Sequence, residues 1–246
     1  MDNALVLLVA ATFVFAGSIK GLVGIGLPTA LISVLAQVLD PRTAIALLLL
    51  PSLILNVWQI WRSGGFIQNL RKVWLFAIVM FVAIWYFSRF AAELDVEILV
   101  IGIGVMILLF VISSLLRPPP PISRRWDKPI QVGAALIAGV IGGLTAIWSP
   151  PMVMYLLSRG ATKDEFLGTL GVLILCGSIP LFIGYWQAGL LTVPLFGLSA
   201  LMTIPAVIGY GLGEWARRWL DPEQFKRFVL LAFFLMGLNL IRRGLL

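Results

Sequence analysis

The sequence predicts an all-α integral membrane protein made of two inverted repeats, each a broken re-entrant helical segment followed by three transmembrane helices. Its composition indicates the membrane, because 61% of the 246 residues are hydrophobic, 12% are charged, and the mean hydropathy is +1.05. Apolar runs recur along the whole chain, each near the roughly 20 residues that cross a bilayer core. A glycine and proline pattern that occurs twice indicates the repeat, and the positions of lysine and arginine indicate the inversion.

The basic charge of the chain has two interpretations. The net charge is +7 and the isoelectric point is about 10.1. Such a charge suits a nucleic-acid partner, but the lysine and arginine residues lie mostly between the apolar runs. There they act as topology signals and as contacts to anionic lipid. We therefore expect membrane lipid as a partner and no nucleic acid.

Missing residue types limit the chemistry. The chain has no histidine and one cysteine, Cys176. Histidine metal sites, histidine acid–base chemistry and an intramolecular disulfide are therefore excluded. The sequence also contains no Ser-His, paired-carboxylate or HExxH arrangement, so we predict no enzyme, no catalytic residue, no metal and no cofactor.

The first element is the segment 17–37, which reads GSIKGLVGIGLPTALISVLAQ. A helix here has to break between Gly21 and Pro28, because glycine weakens a helix and proline removes a backbone donor. Inside a membrane, a broken helix exposes backbone groups that need a polar partner, commonly a substrate or an ion. One lysine, Lys20, stands in this otherwise apolar stretch.

A second copy of this segment lies 122 residues further along the chain. The residues Gly17, Ile19, Gly21, Leu22, Ile25 and Pro28 match Gly139, Ile141, Gly143, Leu144, Ile147 and Pro150. The four prolines from Pro118 to Pro121 favour an extended spacer between the copies. We therefore predict a first membrane repeat over residues 1–117, a proline-rich cytoplasmic linker over 118–129, and a second membrane repeat over 130–246.

The positive-inside rule distinguishes two topologies. If each broken segment crosses the membrane once, nine basic residues lie on one side and eight on the other. If each broken segment is a hairpin that returns to its starting side, thirteen lie on one side and four on the other, with Lys20 inside the membrane. The four on the minority side are Arg42, Arg89, Arg242 and Arg243.

The hairpin arrangement is favoured because its asymmetry is typical of a cytoplasmic face. It gives each half an odd number of crossings, so the two halves must be inverted relative to each other. The tips of the two hairpins then meet near the midplane, as in several families of secondary transporters.

Two motifs carry a family resemblance. The pattern GxxxGLVGIGLP at Gly17–Pro28 and its partner GxxGGLTAIWSPP at Gly139–Pro151 resemble the paired glycine-proline motifs of the TauE/SafE family, also called the 4-toluene sulfonate uptake permease family. The resemblance covers essentially the whole chain and implies transport of sulfite, sulfonates or sulfoacetate-like anions across the bacterial inner membrane. Two departures from the pattern are Lys20 and the Trp148–Ser149 pair, where the second motif is often glycine-rich.

The two breaks provide the candidate substrate-binding residues. Helices that restart near Pro28 and Pro150 present free backbone N–H groups and a positive dipole end, which suit an anion. We expect Ser149 to cap the second helix and Trp148 to contact the organic part of a substrate. The candidates at the breaks are Lys20, Gly24, Ile25, Gly26, Pro28, Trp148, Ser149 and Pro150.

Lys20 has three interpretations. A charge at mid-membrane costs about 2.5 to 3.5 kcal/mol on insertion scales, so a bound anion is a reasonable compensation. The lysine can instead snorkel to a surface or pair with a helix C-terminus. We favour the substrate role for Lys20, Gly24 and Gly26, and a packing role for Gly17 and Gly139.

Asn56 and Ser178 are two further candidates for substrate binding, because both are polar residues in long apolar runs. An asparagine in such a run binds either a substrate or a neighbouring helix, and the sequence favours neither.

The function that the sequence and the resemblance predict together is a secondary transporter for small sulfur-containing anions, bound between the two broken helices. The alternatives are an anion channel and a carrier for small carboxylates. All eleven aspartate and glutamate residues lie in loops or at the ends of runs, so no carboxylate proton relay is predicted. A homodimer remains open.

Overall fold

The computed structural model describes residues 3–115, 120–123, 125–160, 163–219 and 222–245. Within these ranges the chain forms ten α-helices, one 3₁₀ turn over Phe90–Ala92, and no β-strand. The helices are α1 (Asn3–Val23), α2 (Leu27–Leu35), α3 (Pro41–Ser63), α4 (Phe66–Ser88), α5 (Val96–Leu115), α6 (Asp127–Thr145), α7 (Ser149–Ser158), α8 (Lys163–Gln187), α9 (Val193–Ala216) and α10 (Pro222–Leu245).

The prediction of an all-α membrane protein is confirmed. Among the described residues, seven helices are long and apolar enough to cross a bilayer, namely α1, α3, α4, α5, α6, α8 and α9. Helices α2 and α7 have 9 and 10 residues and are too short to cross alone. Helix α10 has 24 residues, so by length alone the order of one long helix, one short helix and three long helices occurs twice.

The proline-rich linker is only partly described. Residues 118, 119 and 124 lie outside the described ranges. Helix α6 begins at Asp127, so the last three residues of the predicted linker are helical. The division of the chain into a first and a second membrane repeat remains a prediction.

The helices group into two compact units that each combine residues from before and after the linker. Unit 1 consists of Met1–Ser52, Asp95–Val111 and Leu190–Leu246, and unit 2 consists of Leu53–Leu94 and Ile112–Gly189. Unit 1 contains α1, α2, α9, α10 and parts of α3 and α5. Unit 2 contains α4, α6, α7, α8 and the rest of α3 and α5.

In unit 1, glycines allow α1 and α9 to touch backbone to backbone. A Cβ atom added at Gly17 or Gly21 would overlap the carbonyl oxygen of Ala206 or Tyr210. A Cβ atom at Gly213 would in turn overlap the carbonyl oxygen of Ser18. Close approach through small residues is a principal source of helix association in membranes, where lipid removes the hydrophobic driving force.

In unit 2, the corresponding glycines make the same kind of contact between α6 and α4. A Cβ atom at Gly139 would overlap Cβ of Ala83, and one at Gly143 would lie 3.0 Å from the carbonyl oxygen of Ile84. The packing role predicted for Gly17 and Gly139 is thus the one that each shows in its own unit. Glycines one repeat apart serve the same purpose on α1 and α6.

A proline inside α3 explains a further contact of unit 1. Pro51 has no N–H, so the carbonyl of Leu47, four residues earlier, loses its usual helical donor. The hydroxyl of Ser199 on α9 donates to that carbonyl at 2.8 Å. The backbone N–H of Leu50 donates to the same hydroxyl oxygen at 3.3 Å.

Polar contacts fix the far end of each short helix. In unit 1, the guanidinium of Arg243 on α10 donates to the carbonyls of Ala36 and Gln37, which follow α2, at 2.7 Å each. In unit 2, the hydroxyl of Tyr155 on α7 donates to Asp127 at 2.9 Å. Arg159, which follows α7, pairs with the same carboxylate at 3.9 Å. The end of α7 therefore lies beside the start of α6.

Candidate functional site

The first break lies between α1 and α2 in unit 1. Gly24 and Gly26 have φ angles of 88° and 101°, a region that glycine adopts at little cost. The N–H of Gly24 donates to the carbonyl of Lys20 at 2.7 Å and closes the last turn of α1. Gly26 then provides the N-cap of α2 without a side chain, and Pro28 lies in the first turn of that helix. The first turn of α2 therefore has backbone N–H groups with no helical acceptor.

Lys20 lies in the last turn of α1 and is 2% exposed. The interpretation that Lys20 snorkels is therefore wrong, because a snorkelling lysine carries its ammonium group to the surface. Two interpretations remain, the binding of an anion and a structural pairing within unit 1. A lysine in the last turn of a helix also interacts favourably with the negative end of the helix dipole.

The second break lies between α6 and α7 in unit 2. Ala146 has a φ angle of 58°, the one positive value for a non-glycine residue in the described part of the chain. Its N–H donates to the carbonyl of Gly142 at 2.8 Å. The next residue, Ile147, donates its N–H to the hydroxyl of Thr145 at 3.2 Å.

The prediction that Ser149 caps the second helix is wrong. The N-cap of α7 is Trp148, no side chain makes a capping hydrogen bond, and Ser149 is already the first helical residue. Pro150 and Pro151 follow it and have no N–H. The first turn of α7 consequently offers fewer backbone donors than the first turn of α2, which contains one proline.

The two breaks have the same backbone pattern one repeat apart, but their large side chains stand at different positions of that pattern. Gly24 and Ala146 both have positive φ, and each donates to the residue four positions before it. In the first break the large side chain is Lys20, and Gly26 is small. In the second break the residue at the position of Lys20 is Gly142, and the residue at the position of Gly26 is Trp148.

Trp148 lies in a slot formed by two glycines of unit 2. A Cβ atom at Gly142 on α6 would come within 2.8 Å of Cβ of Trp148. One at Gly177 on α8 would come within 2.8 Å of Cε2 of the indole ring. The tryptophan is 3% exposed, and its Nε1 atom has no hydrogen-bond partner. An unpartnered N–H is thus held inside the unit next to α8.

Asn56 and Ser178 contact each other across α3 and α8 of unit 2. The amide Nδ2 of Asn56 donates to Oγ of Ser178 at 3.3 Å, and the serine hydroxyl donates to the carbonyl of Ile174 at 2.9 Å. Both residues are buried. Of the two interpretations for Asn56, the hydrogen bond to a neighbouring helix is thus present.

The ten candidate residues fall into two groups, one in each unit. Unit 1 holds Lys20 with its neighbours at the first break, and unit 2 holds the second break beside the Asn56–Ser178 pair. Sequence reasoning did not select Gly142 and Gly177, which pack against Trp148, or Thr29, whose buried hydroxyl in the first turn of α2 has no hydrogen-bond partner. The sequence did contain a signal for the Asn56–Ser178 pair, because the offset of 122 residues that aligns the two breaks also aligns Asn56 with Ser178.

An apolar surface groove of about 510 Å³ lies elsewhere on unit 2. Its lining consists of Leu53, Ile54, Val57, Trp58 and Trp61 of α3. These side chains suit lipid rather than an anion, so the groove adds nothing to the candidate site.

Comparison with known proteins gives one match. A family model described as "Sulfite exporter TauE/SafE" matches residues 9–240 of the chain. Neither the curated proteins nor the solved structures contain a significant match.

Proposed function

Because the chain belongs to the sulfite exporter TauE/SafE family, we propose that it is a secondary transporter for small sulfur-containing anions of the sulfite, sulfonate or sulfoacetate type. It is a multi-pass protein of the bacterial inner membrane, and its family is one of transporters rather than enzymes. The observation that carries the anionic substrate is the burial of Lys20, a basic residue that is 2% exposed in a candidate transmembrane helix, one turn before the first break.

The first break supports an anionic headgroup. The charge of Lys20 and the N–H groups at the start of α2 are both electropositive, and both belong to unit 1. A helix N-terminus favours negative charge through its dipole and its unsatisfied donors. We propose Lys20, Gly24, Ile25, Gly26 and Pro28 as the part of the substrate site that binds this headgroup.

The second break supports a neutral part of the substrate. The described residues of this break, 145–151, contain no charge, and the indole N–H of Trp148 is a buried donor without a partner. We propose that Trp148, with Ser149 and Pro150, contacts the organic portion or a single oxygen of the anion. Ser178 follows Gly177, on which the indole ring packs, and Asn56 donates to Ser178. We therefore propose that Asn56 and Ser178 belong to the same part of the substrate site.

A ligand-stabilisation screen of the purified protein tests the function. The probes are sulfite, thiosulfate, sulfoacetate, isethionate, taurine, acetate and succinate. We expect at least one sulfur anion to raise the melting temperature in a saturable manner, and the same anion to show saturable flux in proteoliposomes. Stabilisation by the carboxylates alone would contradict the sulfur-anion assignment. Flux that does not saturate would indicate a channel.

We also propose that the two repeats are inverted and that both broken segments are re-entrant. Contacts within the units support this. Asp127 at the start of α6 binds Tyr155 near the end of α7, which is the contact expected of a broken segment that returns to its starting side. Arg243 binds the end of α2, and these residues would lie on opposite sides if each broken segment crossed the membrane once. Arg243 is one of the four basic residues on the less basic side in the hairpin topology, and its guanidinium binds the carbonyls at the end of α2.

The termini provide a test of this topology. We expect fusions at either end of the full chain to report the periplasm, because each half crosses the membrane three times and each hairpin returns. Alkaline phosphatase, which is active outside the cytoplasm, and a green fluorescent protein, which folds inside it, give opposite readouts at each terminus. Cytoplasmic termini would instead indicate eight plain crossings.

A further inference from the structure

We infer that the hydroxyl of Thr29, in the first turn of α2, is a hydrogen-bond donor to the transported anion. This inference rests on the proposed function and adds a residue that neither the motif nor the sequence pattern indicates. It also adds a hydroxyl to the groups of the first break that bind the charged headgroup.

Thr29 is fully buried, and its Oγ1 atom has no hydrogen-bond partner. Helical serine and threonine residues commonly donate their hydroxyls to the carbonyl four residues earlier. Such bonds occur at Thr12, Ser18, Thr145, Ser158 and Ser178, with lengths of 2.8 to 2.9 Å. Among the described residues, the buried hydroxyls of Thr29 and Thr169 have no such partner, and of these two only Thr29 lies in the first turn of a helix that follows a break.

The break explains why Thr29 lacks this bond. The residue four positions earlier is Ile25, which lies between the two helices instead of in a preceding turn. The residue three positions earlier is Gly26, whose carbonyl accepts the N–H of Ala30 at 2.8 Å. One turn further on, where the helix is complete, Ser33 donates to the carbonyl of Ala30 at 2.9 Å. The glycine break thus removes the acceptor that a threonine would use.

Helix geometry leans the Thr29 side chain towards the break. Side chains of an α-helix lean towards its N-terminus, so Thr29 leans towards Gly26 and Gly24. The same end of α2 has backbone N–H groups without helical acceptors. A buried polar group is costly when it lacks a partner, and an oxyanion is the strongest kind of acceptor for a hydroxyl.

The second break has no hydroxyl at the position equivalent to Thr29. The position 122 residues after Thr29 is Pro151, which has neither a hydroxyl nor an N–H. Lys20 likewise has glycine as its counterpart. A side-chain cation and a hydroxyl donor are thus present at the first break and absent at the equivalent positions of the second, which favours recognition of the oxyanion in unit 1.

The experiment compares three variants of the full-length protein in nanodiscs, with sulfite and sulfoacetate as probes. Thr29→Val removes the hydroxyl at almost constant volume, Thr29→Ser retains it, and Ser33→Ala removes a hydroxyl of α2 that has a partner. We expect Thr29→Val to weaken binding of the stabilising anion by about tenfold or more. Thr29→Ser and Ser33→Ala should keep an affinity near that of the wild type.

The melting temperature without anion separates binding from structure. Thr29→Val should leave it unchanged or raise it, since the variant removes an unpartnered polar group from a buried position. If Thr29→Val does not fold, Thr29→Ala is measured in the same way. Equal anion affinity in the wild type and the valine or alanine variant overturns the role of Thr29 and leaves the proposed function intact. The absence of any anion binding by the wild type overturns both.

Discussion

Lys20→Met abolishes the stabilisation of the protein by sulfur anions and their flux into proteoliposomes. Methionine keeps most of the length of the side chain and removes the charge, so the variant loses a charge-assisted contact to the substrate. A contact of this kind is worth about 1.5 to 3 kcal/mol, or roughly 10- to 150-fold in affinity. Lys20→Ala should show the same loss. The measurements are the anion-induced change in melting temperature and the initial rate of uptake.

The melting temperature without anion separates the two remaining interpretations of Lys20. If the lysine serves the substrate, its removal should not destabilise the empty protein, because insertion of the buried charge costs about 2.5 to 3.5 kcal/mol. If it serves a structural pairing in unit 1, the empty protein loses stability. Arg42→Ala is a matched control, because this basic residue of unit 1 pairs with Asp40 at 3.7 Å outside the break. Undiminished transport by Lys20→Met would exclude the substrate role.

Trp148→Ala should give the largest loss of stability. The indole ring fills a slot between Gly142 and Gly177, and neither glycine has a side chain that can move into the space. Replacement of a buried tryptophan by alanine typically costs about 3 to 5 kcal/mol, because the lost contacts leave a cavity. Thermal unfolding in nanodiscs measures the change.

Two further variants distinguish the packing role of Trp148 from its proposed substrate contact. Trp148→Phe keeps an aromatic ring but has no N–H, so it should retain more stability than Trp148→Ala while it loses anion affinity. Trp219→Ala is the control, because that tryptophan is 77% exposed and its removal should change stability little. Equal stability of Trp148→Ala and the wild type would show that the slot carries no packing energy.

The positions of both breaks were predictable because they depend on local chain chemistry. Gly24 and Gly26 adopt positive φ, and Pro28 lies in the first turn of the helix that follows. The packing of Gly17 and Gly139 was predictable for a similar reason, since glycines spaced along an apolar helix allow another backbone to approach.

The side-chain contacts of the site were not predictable in the same way. The place of Trp148 depends on Gly177, which lies on another helix of unit 2, and the Asn56–Ser178 bond depends on the register between α3 and α8. The cap assigned to Ser149 failed because the helix begins one residue earlier than a cap at that position requires. Thr29 looked ordinary because its missing acceptor is visible only when the start of α2 is known.

The packing of α1 against α9 has a consequence for biosynthesis. Helix α1 leaves the ribosome well before α9, because the backbone of Ala206 and Tyr210 lies 189 residues after Gly17 and Gly21, the glycines that pack on it. Until then, the glycine surface of α1 and the charge of Lys20 are either exposed to lipid or bound by the insertion machinery. A contact between such distant parts of the chain forms slowly. The α1–α9 contact of unit 1 therefore forms only after α9 has been translated.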